Sequence, residues 1–135
     1  MTLVRLFVAD APSGDWTELT DGEARTVRVA ATDLQQARRA RTRIRAGDHD
    51  VAVILDVTVA VASDFRSARS ILGSSGHTVH YAGTVDGLAG LISDIAMADV
   101  ADGVTLISAS PRQDLLDVAR QVLRRLSVRE QLRAS

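Results

Sequence analysis

Val51-Ala-Val-Ile-Leu-Asp-Val-Thr-Val-Ala-Val61 is an almost unbroken β-branched apolar run, interrupted only by Asp56 and Thr58. A strand apolar at consecutive positions leaves no face for water, which is how strands read when both faces of a parallel sheet are covered. The run is therefore taken as the central strand of an α/β domain. Being longer than the usual five or six residues or so, it is expected to bend or change partner near Asp56.

On either side of this run the chain alternates. Leu3-Val-Arg-Leu-Phe-Val-Ala9 is a short apolar strand ending in the turn-rich Asp10-Ala-Pro-Ser-Gly-Asp15. A strand followed by a small-residue loop is a geometry that presents backbone N–H groups to an anion, and Pro12-Ser13-Gly14 equally suits an ordinary turn. The polar stretch 16–23 suggests a helical turn around Trp16 to Leu19. Thr26-Val-Arg-Val-Ala-Ala31 is a second strand. Thr32 and Gln35 have capping-box spacing, and Leu34, Ala37, Ala40, Arg41 and Ile44 then recur at helical intervals up to Gly47. Arg38, Arg39, Arg43 and Arg45 load the other face. Without interleaved aromatics to stack bases, they read as a solvated helix face, and no nucleic-acid partner is expected.

Beyond the central run, Phe65 to Leu72 is helical in pattern behind Ser63 or Asp64, and Gly73 to Gly76 stops it. His77 to Tyr81 is extended. Its two histidines, three apart, point to opposite faces and make poor joint metal ligands. Thr84 caps a helix carrying Leu88, Leu91, Ile92, Ile95 and Met97, and Val104-Thr-Leu-Ile-Ser108 is another buried strand. Ser110-Pro111, with Gln113 behind it, starts a last helix with Leu115, Val118, Ala119, Val122, Leu123 and Leu126 as its stripe. Four principal strands alternating with helices argue for parallel pairing through right-handed crossovers. The expected fold is α/β, half of a TIM-type barrel in one domain over residues 1–135.

Composition limits the chemistry. The 135 residues, 46% hydrophobic, can bury a core without staples, and with no cysteine there are no disulfides, thiolate nucleophiles or cysteine metal sites. All 16 basic residues are arginine, so no lysine is available for Schiff-base chemistry. The net charge of −1 exerts no global pull on polyanions. No run is apolar for long enough to cross a membrane, and the N-terminal residues lack a signal-peptide pattern, so a soluble cytoplasmic protein without membrane partners is expected.

Three stretches resemble the C-terminal half of the luciferase-like flavin monooxygenases, in the branch of the alkanesulfonate and nitrilotriacetate enzymes. Tyr81-Ala-Gly-Thr-Val-Asp-Gly87 followed by Ala101-Asp-Gly-Val104 is similar to that family's "G-T-P-E" helix start and later "A-D-G-F" strand. Val29-Ala-Ala-Thr-Asp-Leu-Gln-Gln-Ala-Arg38, leading to the central strand, resembles the family's sixth strand, sixth helix and seventh strand. Phe7-Val-Ala-Asp-Ala-Pro-Ser-Gly14 sits where the family has its fifth strand and a loop that helps hold the FMN phosphate. The resemblance implies FMN or reduced flavin as cofactor, with Ser13 and Gly14 as binding residues and a flavin reductase as a possible partner. Nothing corresponds to the first four strands, so no catalytic residue carries over, and the segment between the seventh and eighth strands is cut to about Ser63–His80.

A half-barrel leaves two open edges that something must cover. The options are a second copy in a homodimer, a separately encoded complementary half, or the polar link Asp10–Arg25 folding over one side. Chemistry in such barrels lies at the C-terminal strand ends, here assigned to Asp10–Gly14, Ala30–Asp33, Asp56–Thr58 and Ser108–Ser110. Asp56 there is a third candidate cofactor-binding residue beside Ser13 and Gly14, orienting a ligand or acting as a base; the competing reading is a carboxylate paired with a nearby arginine or capped by backbone N–H groups. A non-catalytic assembly or regulatory protein of the same descent is the alternative function. A flavodoxin-type or response-regulator domain ranks last, because its acidic cluster is absent.

Overall fold

The computed structural model describes residues 4–10, 15–62, 79–109 and 114–134, with side chains through 130. Its strands are β1 (Arg5–Ala9), β2 (Trp16–Glu18), β3 (Thr26–Val29), β4 (Ala52–Val61), β5 (Val79–Gly83) and β6 (Gly103–Ser108). The helices among the described residues are α1 (Leu34–Gly47), α2 (Val85–Met97) and α3 (Leu115–Ala134). Together they make a mixed α/β fold around one curled sheet resembling half a barrel. Among the described residues, no helix is long and apolar enough to cross a membrane.

The central run behaves as its length requires. The first half of β4 pairs with β3, up to Val29 opposite Leu55, and its second half pairs with β5, from Val57 opposite Val79. Asp56 is the changeover residue. On its other side β4 pairs in parallel with β6 from Ile54 to Val59, so β3 and β5 must lie end to end along one edge. The Val79 N–H donates to the Ala31 carbonyl at that junction, 2.8 Å away.

Two expectations need correction. Four consecutive barrel strands would lie in the order β1, β3, β4, β6, whereas the observed order is β2-β1-β6-β4-β3. The first strand thus sits beside the last, in parallel register from Arg5–Gly103 to Ala9–Ile107. The strands are also not all parallel. The stretch expected to make a helical turn at Trp16 is instead β2, antiparallel to β1 with Phe7 opposite Glu18. A free strand edge with unpaired N–H and C=O groups outweighs the weak helical preference of three residues.

The three helices contribute to one apolar cluster and so cover one face of the sheet. Leu6, Leu55, Val57, Val59, Val104 and Leu106 meet Ala37 of α1, Leu88, Ile92 and Ile95 of α2, and Val118, Val122 and Leu126 of α3. The alternate residues Phe7, Ala52 and Ile54, with Trp16, form a separate cluster on the opposite face. This is the period-two logic of a strand, each face carrying its own core.

Helix ends show local chemistry. Asp33, one residue later than expected, is the N-cap of α1 and accepts from Gln36 N–H, while the Gln36 side chain accepts from the Thr32 N–H. Thr84 caps α2 as expected. A Cβ at Gly83 or Gly87 would meet the Tyr81 hydroxyl, which donates to the Thr84 carbonyl. α2 ends with Asp99 at φ 58°, Val100 N–H reaching Ile95 and Asp99 N–H reaching Ala96, a Schellman-type stop in which aspartate takes the left-handed position. At α3, Asp114 accepts from the Asp117 N–H. The expected start at Ser110-Pro111 and the expected helix 65–72 lie outside the described residues.

Asp102, just before β6, ties α1 to the N-terminal ends of the strands. It accepts from Val53 N–H at 2.8 Å and Arg41 at 3.0 Å, and pairs with Arg45 at 3.4 Å. Arg45 also donates to the carbonyls of His49 and Val51, so Arg41 and Arg45 are structural; Arg38, Arg39 and Arg43 stay exposed. Because only Ala37 of α1 is buried, these polar ties carry much of the helix's attachment. Replacing Asp102 by alanine should cost about 2 kcal/mol, from one lost backbone bond and two stranded guanidiniums. Urea unfolding checks this; a loss under about 0.5 kcal/mol would assign the attachment to packing alone.

Candidate functional site

The face turned away from the helices corresponds to the inner face of a barrel, and its residues come from five strands. β1 supplies Phe7, β2 Trp16, β3 Arg28, and β4 Ile54 and Asp56; Thr105 of β6 lies opposite Asp56 in register. Phe7 and Trp16 stack with centroids 4.2 Å apart and planes 19° from parallel. The Arg28 guanidinium lies over the Trp16 ring at 5.3 Å, and its Nε donates to Asp56 Oδ1 at 2.7 Å. Ring, cation and carboxylate thus form a continuous chain of contacts from β1 to β4.

Asp56 therefore departs from its expected place. It lies in the middle of β4, whose C-terminal end is Val61, and its side chain is only 4% exposed. Asp56 is ion-paired with Arg28, as the competing sequence reading had it. The signal was available in the sequence: β3 and β4 each carry one charge in an apolar strand, and the charges are opposite. Thr105 could not have been singled out. Its hydroxyl is fully buried and is the one buried side-chain polar atom without a hydrogen-bond partner among the described residues.

A second polar group closes the same edge. Arg5 donates through Nε and Nη2 to the two Glu18 oxygens, at 2.8 and 2.6 Å, and through Nη1 to the Ala24 carbonyl. Glu18 also takes the Thr20 hydroxyl and the Gly22 N–H. These bonds wrap residues 18–24 around the start of β1. The Arg5 hydrogen bonds hold the Glu18 carboxyl below its ordinary range; burial opposes this, and Thr20 and Gly22 add to it.

At the C-terminal end of β1, Val8, Ala9, Asp10, Asp15, Thr17, Leu115 and Leu116 line a cavity of about 320 Å³. Ser13 and Gly14 lie outside the described residues. The walls that are described carry two carboxylates and no cation.

No protein-family model matches this chain, and no curated protein does. Among solved structures it is similar to EDTA monooxygenase from Chelativorans sp. BNC1, with a TM-score of 0.62 at 13% identity over 78% of this chain. The likeness is one of fold, and this chain spans 40% of the length of that protein.

A flavin does not fit the inner face as it stands among the described residues. A planar ring needs an open apolar slot, but Phe7 and Trp16 are stacked on one another. Arg28, a cation on this face that could meet a phosphate, is already paired with Asp56.

Two measurements probe this face. Asp56→Ala should destabilise by about 3 kcal/mol because it strands Arg28, whereas Arg28→Met with Asp56→Leu should be close to neutral; equal losses in denaturant would contradict the pairing argument. The Glu18 carboxyl takes up a proton more readily unfolded than folded, so stability rises with pH across that interval. The contribution is complete above the unfolded value of about 4.3 and fades as acid takes the solution through the lower folded value. Glu18→Gln should flatten that limb of the stability profile; an unchanged acid limb would remove Glu18 from the account.

Proposed function

We propose that this chain is a luciferase-like half-domain, a flavin-monooxygenase-type module that takes FMN or reduced flavin only when a second copy or a separately encoded half completes the barrel. The observation that carries the reading is the fold likeness to a monooxygenase of which this chain spans 40%. The motifs around Gly83-Thr84 and Ala101-Asp-Gly103 point the same way. The cofactor is assigned to the completed assembly because the inner face of one chain is filled by its own side chains. Ser13 and Gly14 are the residues proposed to meet the phosphate. A flavin reductase would supply the reduced cofactor, and the assembly would work in the cytoplasm.

A second reading is favoured by that same filled face: a non-catalytic assembly or regulatory subunit that keeps the fold and has lost the cofactor. Titrating FMN against the protein, with flavin fluorescence as readout and light scattering on the same samples, separates the two. The first reading expects quenching that grows with the associated fraction and is abolished by Ser13→Glu. Full association with unquenched flavin would establish the second.

A further inference from the structure

Residues 16–20 run along the outer edge of β1, the edge that a neighbouring barrel strand would use, and the Arg5 side chain holds the carbonyls of Gly22 and Ala24 beyond them. β2 pairs there, the Leu19 N–H donates to the Leu6 carbonyl at 2.8 Å, and the Leu6 N–H donates to the Thr20 hydroxyl at 3.2 Å. The same segment puts Trp16 on the inner face. It therefore fills, within one chain, both places an adjoining half would occupy. Yet its hold is shallow: none of residues 15–25 is buried, and β2 is three residues long. β1, by contrast, has Leu6, Phe7 and Ala9 buried.

We infer that residues 15–24 form a self-capping arm, and that its release opens the β1 edge to β3 of a second copy, giving a twofold barrel. The inference rests on the half-domain reading and names its partner and gate. The sheet is four parallel strands wide, because β3 and β5 share one edge of β4. Two copies supply the eight strands of a closed barrel. A twofold axis along the strands keeps every strand parallel and makes two identical β1–β3 seams, as isologous closure requires. β3 is the terminal strand at the other side of the sheet, with no further strand beyond it among the described residues. The arm competes with it for β1, and Arg5–Glu18 and Phe7–Trp16 set how strongly.

Thr17 is the place to intervene. It is exposed, lies opposite Val8, and belongs to the hydrogen-bonded set of pairs that includes Leu19–Leu6, so proline there removes a ladder donor without touching the ion pair or the stack. Sedimentation equilibrium of Thr17→Pro and wild type, with circular dichroism confirming the fold, should show dimerisation at least tenfold tighter in the variant. On that background, Val8→Cys chains mixed with Val29→Cys chains should oxidise to mixed dimers in preference to like pairs. The chain has no native cysteine, so nothing else crosslinks.

A folded variant that associates no better than wild type overturns the inference, as does crosslinking of like with like only. If Thr17→Pro unfolds, Glu18→Gln, which loosens the arm at its ion pair, carries the same two readings. FMN titration of the dimer keeps the two levels apart. Tight dimers that ignore FMN count against the flavin reading and leave the gate standing; FMN bound by wild-type monomer counts against the need for a completed barrel, and the gate is then judged by the association and crosslinking results alone.

Discussion

β4 is paired along both edges and covered on both faces, and that double enclosure constrains everything around it. Ile54, Leu55, Val57, Val59 and Ala60 are fully buried, so the backbone groups between them have no water to turn to and must find strands on each side. One neighbour, β6, reaches only from Ile54 to Val59. The opposite edge needs ten residues of cover, and β3 and β5 supply four and five. The gap between them falls at Asp56, whose side chain meets Arg28 instead of apolar neighbours. A charge inside the core is tolerable there because its partner sits on the strand that ends at that point.

Parts of this arrangement were legible in the amino-acid order and parts were not. The apolar run gave the central strand and its change of partner, because continuous burial and excess length are properties of the segment itself. Thr84 with the α2 periodicity, and Gly47 at the end of α1, are equally local. Strand order is not local: β1 lies beside β6 because both bury their helix-facing residues under α3, and nothing in residues 5–9 encodes that neighbour. The strand at Trp16 is hard to read because it is only three residues long and takes its structure from the β1 edge it pairs with. A charge that interrupts an apolar run, as Asp56 does, resembles a strand boundary; an arginine 28 residues earlier makes it an interior residue. The loop assignment at Ser13 and Gly14 falls outside the described residues.

The two ends of the sheet divide the work. At the N-terminal ends Asp102 gathers Arg41, Arg45 and the Val53 N–H, which anchors a helix with little buried area. The inner face instead carries a ring pair, a cation over a ring and a buried orphan hydroxyl. Polar groups at an edge open to water cost little to desolvate and serve as ties. Polar groups inside a sheet must be matched one to one, and Thr105 is where the matching fails.

Trp16 and the Arg28–Asp56 pair act on one another, which bears on how firmly the arm is held. With Trp16 in place, Arg28 has an aromatic ring on one face and a carboxylate at its Nε, and both charges are shielded from water. Shielding strengthens their attraction and raises the cost of keeping them dry, so the two terms oppose each other. When Trp16 leaves, Arg28 loses the ring contact but both charges regain hydration. The cost of lifting the arm is therefore smaller than the sum of its visible contacts, whereas the Phe7 surface it uncovers recovers nothing in water. That exposed ring, more than the ion pair, is what would drive an opened β1 edge toward another apolar surface.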